Sequence, residues 1–394
     1  MMNATRLFLA ASLAAAVAAP AAAAPPAKIR LGVISTVSGP IAALGREQYM
    51  GADLGLKMLG NKIGGIPVDV FKVDARMTPE TGLEATTRLT EKDHIDFLIG
   101  GQLSNQLLAY AKPVTATGTI IVSGIAGPEQ LAGADCNPNL FVASWQNNTP
   151  SEAVGKMMTD DGVKRAFFIA QNYITGKEYV AGAKAYYKGN VAGEAFVPIE
   201  QVDYAAEIAS IRAANPDAVY VFLPGAGGVA FVKQFANSGL LDKIKLFSGS
   251  WLADELDFAA LGDVVTKNIY LANPWFASLD NPQNKKFVAA FKKEHGRNPV
   301  FYAAFVYDSL MLLDGAVKKV HGEIGDKKAL VKAMETAPFK SVRGNFAFNT
   351  NHFPIQNFYS AKVVKKDGGL QQEVVGTVFT NFKDSFYPQC HMAY

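Results

Sequence analysis

The stretch Gly100-Gly-Gln-Leu-Ser104-Asn105 is where residue types and order first suggest a chemistry. An apolar run ends in two glycines, and hydroxyl and amide side chains then open a helix. Exposed backbone N–H groups at the positive end of a helix dipole can hold a carboxylate without any lysine or arginine. The same order also serves a plain N-cap by Ser104. A second glycine-rich run, Gly225-Ala-Gly-Gly-Val-Ala230, formally fits the dinucleotide fingerprint G-x-G-x-x-G/A. The acid expected about 20 residues further on, at the end of the next strand, is missing, because that strand ends Ser248-Gly-Ser-Trp251. The run therefore reads as a tight, helix-opening turn, and no cofactor is expected. His94, His295, His321, His352 and His391 are scattered without metal-ligand spacing, and no metal is expected. H-E-x-x-H, C-x-x-C and G-x-S-x-G are absent, which leaves catalysis without a visible nucleophile or metal. The chemistry on offer is binding, not turnover.

Positioning such a site requires a fold, and the chain opens with an address. Met1 to Ala24 holds one basic residue, Arg6, then an apolar run from Leu7, then a small-residue stretch before Pro25-Pro26. That is the pattern of a secretory signal peptide, with a free chain expected from Pro25. No cysteine follows the cleavage region, so no lipid anchor is expected. About 370 residues remain, large for one core and suggestive of two domains. No later apolar run reaches membrane length. The net charge of +3 is small and its basic residues are scattered, which argues against nucleic acid as a partner. The two cysteines, Cys136 and Cys390, can close as one bridge in an oxidising compartment or remain free thiols. A loop this long would stabilise by about 4–5 kcal/mol in the chain-entropy model.

Hydrophobic periodicity then gives two similar series. In the first, strands are expected at 29–34, 68–73, 95–100 and 119–123, with helices at 42–58, 79–91 and 104–110. In the second, strands fall at 165–170, 193–197, 218–223 and 245–248, with helices at 175–187, 204–214 and 228–238. Strand–helix alternation implies parallel sheets wound in right-handed crossovers, and two such units imply two Rossmann-like α/β lobes. Ligands then belong outside the carboxyl ends of the strands, in the cleft between lobes.

These features together resemble the periplasmic solute-binding proteins of ABC importers, in the branched-chain amino-acid (Leu/Ile/Val-binding) family. The resemblance runs from Ile29 to about Asn381. It is carried by Leu31-Gly-Val-Ile-Ser-Thr-Val-Ser-Gly-Pro40, Ala42-Ala-Leu-Gly45, Gly64-Gly-Ile-Pro67, Asn281-Pro-Gln-Asn and Tyr302-Ala-Ala with Tyr307-Asp308. It implies a type I binding fold whose chain crosses the hinge three times, near residues 145–148, 273–275 and 352–354. Lobe 1 is then 25–146 with 275–353, and lobe 2 is 147–274 with 354–394. It further implies closure of the lobes on a ligand and recognition by an inner-membrane permease. A periplasmic monomer is expected.

The resemblance also places site residues. Ser104 falls where relatives grip the ligand carboxylate, with Asn105 beside it, and Ala126 or Gly127 can offer backbone groups. Where relatives carry an acid for the ligand's ammonium, this chain has Trp251. The aromatic expected after the third strand of the second lobe is replaced by the run from Gly225. Thr175 stands at a tyrosine position, with Tyr173 just before it. Leu44, Gln102 and Gln146 complete the expected cleft. A buried ammonium without its anion is costly, whereas Trp251 supplies an aromatic wall. The expected cargo is thus a carboxylate with a flat apolar body, such as a benzoate or phenylpropenoate. A register shift of one or two would instead bring Asp254 or Glu255 into place and make the protein an ordinary amino-acid carrier. A sensor partner of a membrane receptor fits the same residues. An exported enzyme would need a nucleophile or metal site that the sequence does not display.

Overall fold

The computed structural model describes residues 25–366 and 368–392, so the expected export segment, Met1 to Ala24, lies outside the described residues. The first series begins with β1 (Ile29–Ser35), α1 (Ala42–Met58), β2 (Lys62–Ile63), β3 (Ile66–Asp74) and α2 (Pro79–Glu91). It continues through β4 (Phe97–Gly100), α3 (Ser104–Ala116), β5 (Ile120–Ser123), α4 (Glu129–Ala132) and β6 (Leu140–Val142). The six strands lie in the order β2-β3-β1-β4-β5-β6, parallel except for the β2–β3 hairpin. Strands β4 and β5 are buried throughout, as expected of apolar runs covered by helices on both faces. Pro79 opens α2 behind a reciprocal cap between Thr78 and Thr81.

The second series comprises α5 (Asn148–Asp160), β7 (Arg165–Gln171), α6 (Ile174–Tyr186), β8 (Asn190–Val197) and α7 (Ala205–Ala214). It then runs β9 (Ala218–Phe222), α8 (Ala226–Asn237), β10 (Lys245–Gly249), α9 (Phe258–Leu261) and β11 (Ile269–Asn273). After α10 (Pro282–His295), α11 (Phe301–Lys319) and α12 (Lys327–Glu335) come β12 (Phe346–Phe348), β13 (Pro354–Lys366) and β14 (Gly369–Phe382). The second sheet is ordered β12-β13-β11-β10-β9-β7-β8, with β14 paired to β13. Strands β7 to β11 are parallel, and β12 to β14 form its antiparallel edge.

Two expectations need adjusting. Helix α3 does not stop at Tyr110 but runs through Pro113 to Ala116. Burial of Tyr110, Ala111 and Val114 against the sheet offsets the one backbone hydrogen bond that Pro113 removes. Strand β12, within the segment assigned to lobe 1, pairs with β13 in the second sheet.

Helix α11 returns to the first lobe and crosses α1 so closely that a Cβ on Gly51 would lie 2.2 Å from the carbonyl oxygen of Ala303. The chain passes between lobes after β6, after β11 and before β13. Arg343 stitches two of these passages together. Its guanidinium pairs with Asp308 of α11 at 3.1 Å and donates to the Ser144 carbonyl and to Gln356 Oε1. Gln356 in turn donates to the same carbonyl at 2.7 Å.

Beyond β14 the tail turns back to lobe 1. There Asn351 donates to Asp384, Phe386 packs on the lobe 1 core, and Cys390 is disulfide-bonded to Cys136.

Candidate functional site

The strand ends of the two sheets face one another across a cleft with about 500 Å³ of empty space, counted out to its mouth. Lobe 1 lines it with Ile41, Leu44, Gln102, Leu103, Ser104, Ile125, Ala126, Trp145, Phe301 and Tyr302. Lobe 2 contributes Gln171, Tyr173, Thr175, Tyr179, Ile199, Phe222, Pro224 and Trp251, and Asn147 comes from the first passage between lobes. Among these lining residues there is no Asp, Glu, Lys, Arg, His or Cys.

Two thirteen-residue helices open into this uncharged space from opposite sides. Ser104 is the first residue of α3 and Thr175 the second of α6, and neither N-cap, Leu103 or Tyr173, caps its helix through its side chain. Helix N-termini favour negative charge and offer free N–H groups. Asn147 ties the two sides together. Its Nδ2 donates to Ser104 Oγ at 3.0 Å and to Glu178 Oε2 of α6 at 2.5 Å, while its Oδ1 accepts from the Gly127 N–H. Glu178 Oε1 also accepts from the Glu129 N–H of lobe 1. Burial pushes the Glu178 carboxyl up to about 7 against the lowering effect of these donors.

The aromatic wall is contiguous. Trp251, 3% exposed, packs against Tyr179 at 5.0 Å and Phe222 at 5.2 Å between ring centroids, and its indole N–H donates to the Val221 carbonyl. Tyr173 stacks on Phe222 at 6.2 Å, and burial raises its phenol above the ordinary range. Gln102 Oε1 accepts from Gln48 and orients the β4–α3 loop.

Of the expected site residues, Leu44, Gln102, Ser104, Ala126, Tyr173, Thr175 and Trp251 line the cleft. Four do not. Asn105 turns its side chain to the Gln106 N–H. Gly127 sits behind the wall, where a Cβ would lie 2.0 Å from the Trp145 carbonyl oxygen. Gln146 both accepts from and donates to Asn148 at the start of α5. Gly225, at φ 74°, opens α8 at the seam between lobes, where a Cβ would come within 3.3 Å of the Pro40 carbonyl oxygen.

Asp254 and Glu255 lie off the cleft. Asp254 accepts from the Leu256 N–H, and burial, with Asp257 beside it, raises its carboxyl well above the usual range. Glu255 accepts from Asn298 at the outer rim.

Among the wall residues that sequence reasoning missed are Asn147, Trp145, Tyr179, Phe222, Phe301 and Tyr302. The strand-end rule could have found Phe222, the last residue of β9. Phe301 and Tyr302 come from α11, to which no strand-end rule applies.

A periplasmic binding protein family model matches residues 28–369. The chain belongs to that family. Among curated relatives of this binding protein is the Leu/Ile/Val-binding protein homolog 6 of Brucella melitensis. It is 26% identical over 353 residues, which cover 86% of this chain and 89% of that one. Among solved structures, a solute-binding protein of an ABC transporter from R. palustris, in complex with benzoate, superposes with a TM-score of 0.86. It is 31% identical, with 92% of this chain and 99% of that chain covered. Another, from Rhodopseudomonas palustris BisB5 in complex with 3,4-dihydroxybenzoic acid, has a TM-score of 0.83 and 26% identity, with coverage of 91% and 99%. Such neighbours share the two-lobe α/β architecture described above. No described helix is long and apolar enough to cross a membrane, and no group of three acidic, His or Cys side chains among the described residues is arranged to hold a metal.

Proposed function

We propose that this binding protein is the periplasmic, unanchored, monomeric component of an ABC uptake system, and that it captures an aromatic carboxylate for a membrane permease. The observation that carries the reading is a cleft without a charged side chain, opened by the N-termini of α3 and α6 and walled by Trp251, Tyr179 and Phe222. An anionic end is served by Ser104, Thr175 and first-turn N–H groups, and a flat body by the rings. An α-ammonium would be buried without an anion, which is costly. The benzoate and dihydroxybenzoate bound by two structural neighbours support the same reading. The amino-acid reading is supported by the names of the curated Brucella relatives, which include Leu/Ile/Val-binding protein homologs 6, 1 and 3.

The test is a thermal-shift titration of unfolded and refolded protein with benzoate, 4-hydroxybenzoate and leucine. An aromatic acid at 100 times its Kd should stabilise by about 2.7 kcal/mol. A shift with leucine and none with either aromatic acid would sink the proposal.

A further inference from the structure

The chain has three tryptophans, and their indole N–H groups are not equivalent. That of Trp275 donates to Asn284 Oδ1 at 2.7 Å, and that of Trp251 donates to the Val221 carbonyl. Trp145 is 1% exposed, and its Nε1 finds no acceptor among the described residues. A buried donor left unpaired is costly, so such groups are rare and usually have a partner in the working molecule. Trp145 lines the cleft from the first passage between lobes, two residues before Asn147. Its ring is held by Phe301 at 5.3 Å and Phe305 at 5.2 Å on the lobe 1 side and faces Trp251 of lobe 2 at 6.4 Å. A rigid, buried donor without a protein acceptor thus belongs to a residue that lines a cavity otherwise suited to an oxygen-bearing apolar molecule.

We propose that Trp145 is a ligand-contacting residue whose indole N–H donates to an oxygen of the bound acid. The inference rests on the reading of the cleft as a carboxylate site, but not on the cargo being aromatic. It assigns a function to the hinge segment itself: the passage linking the lobes touches the cargo. Closure and capture then share one side chain. Phenylalanine keeps most of the ring and removes the donor, which makes it the informative substitution.

The experiment is an indole ¹⁵N–¹H titration of refolded wild-type protein with benzoate and, separately, with leucine, alongside calorimetric titration of W145F. The Trp145 peak is assigned by its loss in W145F or, should that variant not fold, by elimination with W251F and W275F. The expected result is a downfield shift of the Trp145 peak that saturates with ligand. W145F should bind about 10- to 100-fold more weakly, the usual loss for a hydrogen bond to a charged acceptor. A Trp145 peak that stays upfield at saturation is the signature of an N–H resting on the Phe305 ring and overturns the proposal. So does W145F affinity within twofold of wild type. Benzoate failing where leucine binds overturns the aromatic-cargo reading alone, because leucine also carries a carboxylate and still reports on Trp145. If neither ligand moves any indole, both proposals fall.

Discussion

Replacing Trp251 with leucine tests the aromatic wall most directly. The indole shares its wall with Tyr179 and Phe222 at centroid separations of 5.0 and 5.2 Å, and it is almost fully buried. Because the protein already covers all but 3% of its surface, a ligand ring covers little new area of the indole and gains mainly ring–ring contact, about 0.5–1.5 kcal/mol. Leucine offers no ring and loses that contact, an about 2- to 13-fold rise in Kd. The assay is calorimetric titration of refolded protein with benzoate. A urea melt on the same sample checks folding, since the large-to-small change also costs the core about 2–3 kcal/mol. A folded variant that binds benzoate within twofold of wild type would refute the assignment of Trp251 to the ligand wall.

Other outcomes follow from the buried charges and the tail. Burial, with Asp384 and Glu129 nearby, pushes the Glu152 carboxyl up to about 7, whereas the unfolded chain titrates near 4.3. The folded state therefore holds the extra proton between about pH 4.3 and 7, and stability falls as pH rises through that window. Glu152→Gln should then melt above wild type at pH 8, by about 1–3 kcal/mol, with the gain gone by pH 4; a pH-independent offset would contradict this origin. Arg343→Ala leaves Asp308 buried and unpaired, which should cost about 3–5 kcal/mol in a urea melt. Less than 1 kcal/mol would mean that the pair does not hold the passages together. Removing the Cys136–Cys390 bridge, 254 residues apart, should cost about 5 kcal/mol. An unchanged melting temperature in C136S/C390S would argue against the chain-entropy account here.

The parallel strands were legible because their apolar runs are short, β-branched and bounded by glycine or proline, and on them the family resemblance placed Ser104, Ala126, Thr175 and Trp251. Two of the misplaced residues, Gly127 and Gln146, each adjoin a lining position, Ala126 and Trp145. The C-terminal third was harder to read. Helix α11 is buried on nearly every side and so carries no amphipathic stripe. Strands β13 and β14 form a half-exposed sheet edge in which lysines and glutamines interrupt the alternation. Asn147 had no signal, since a passage between lobes has neither period, and its role depends on where Ser104 and Glu178 arrive in space.

The returning tail has a mechanical consequence. Three backbone passages alone would let the lobes twist as well as swing. The segment from Asp384 to Cys390 starts from the second sheet and ends covalently on lobe 1, so it forms a fourth strut. Struts gathered at one side restrict relative motion to rotation about a single line, as a door is restricted by having several hinges on one jamb. Free and liganded forms should therefore differ by the angle of one swing, with little shear, and solution scattering would record a modest change in radius of gyration that grows when the bridge is reduced.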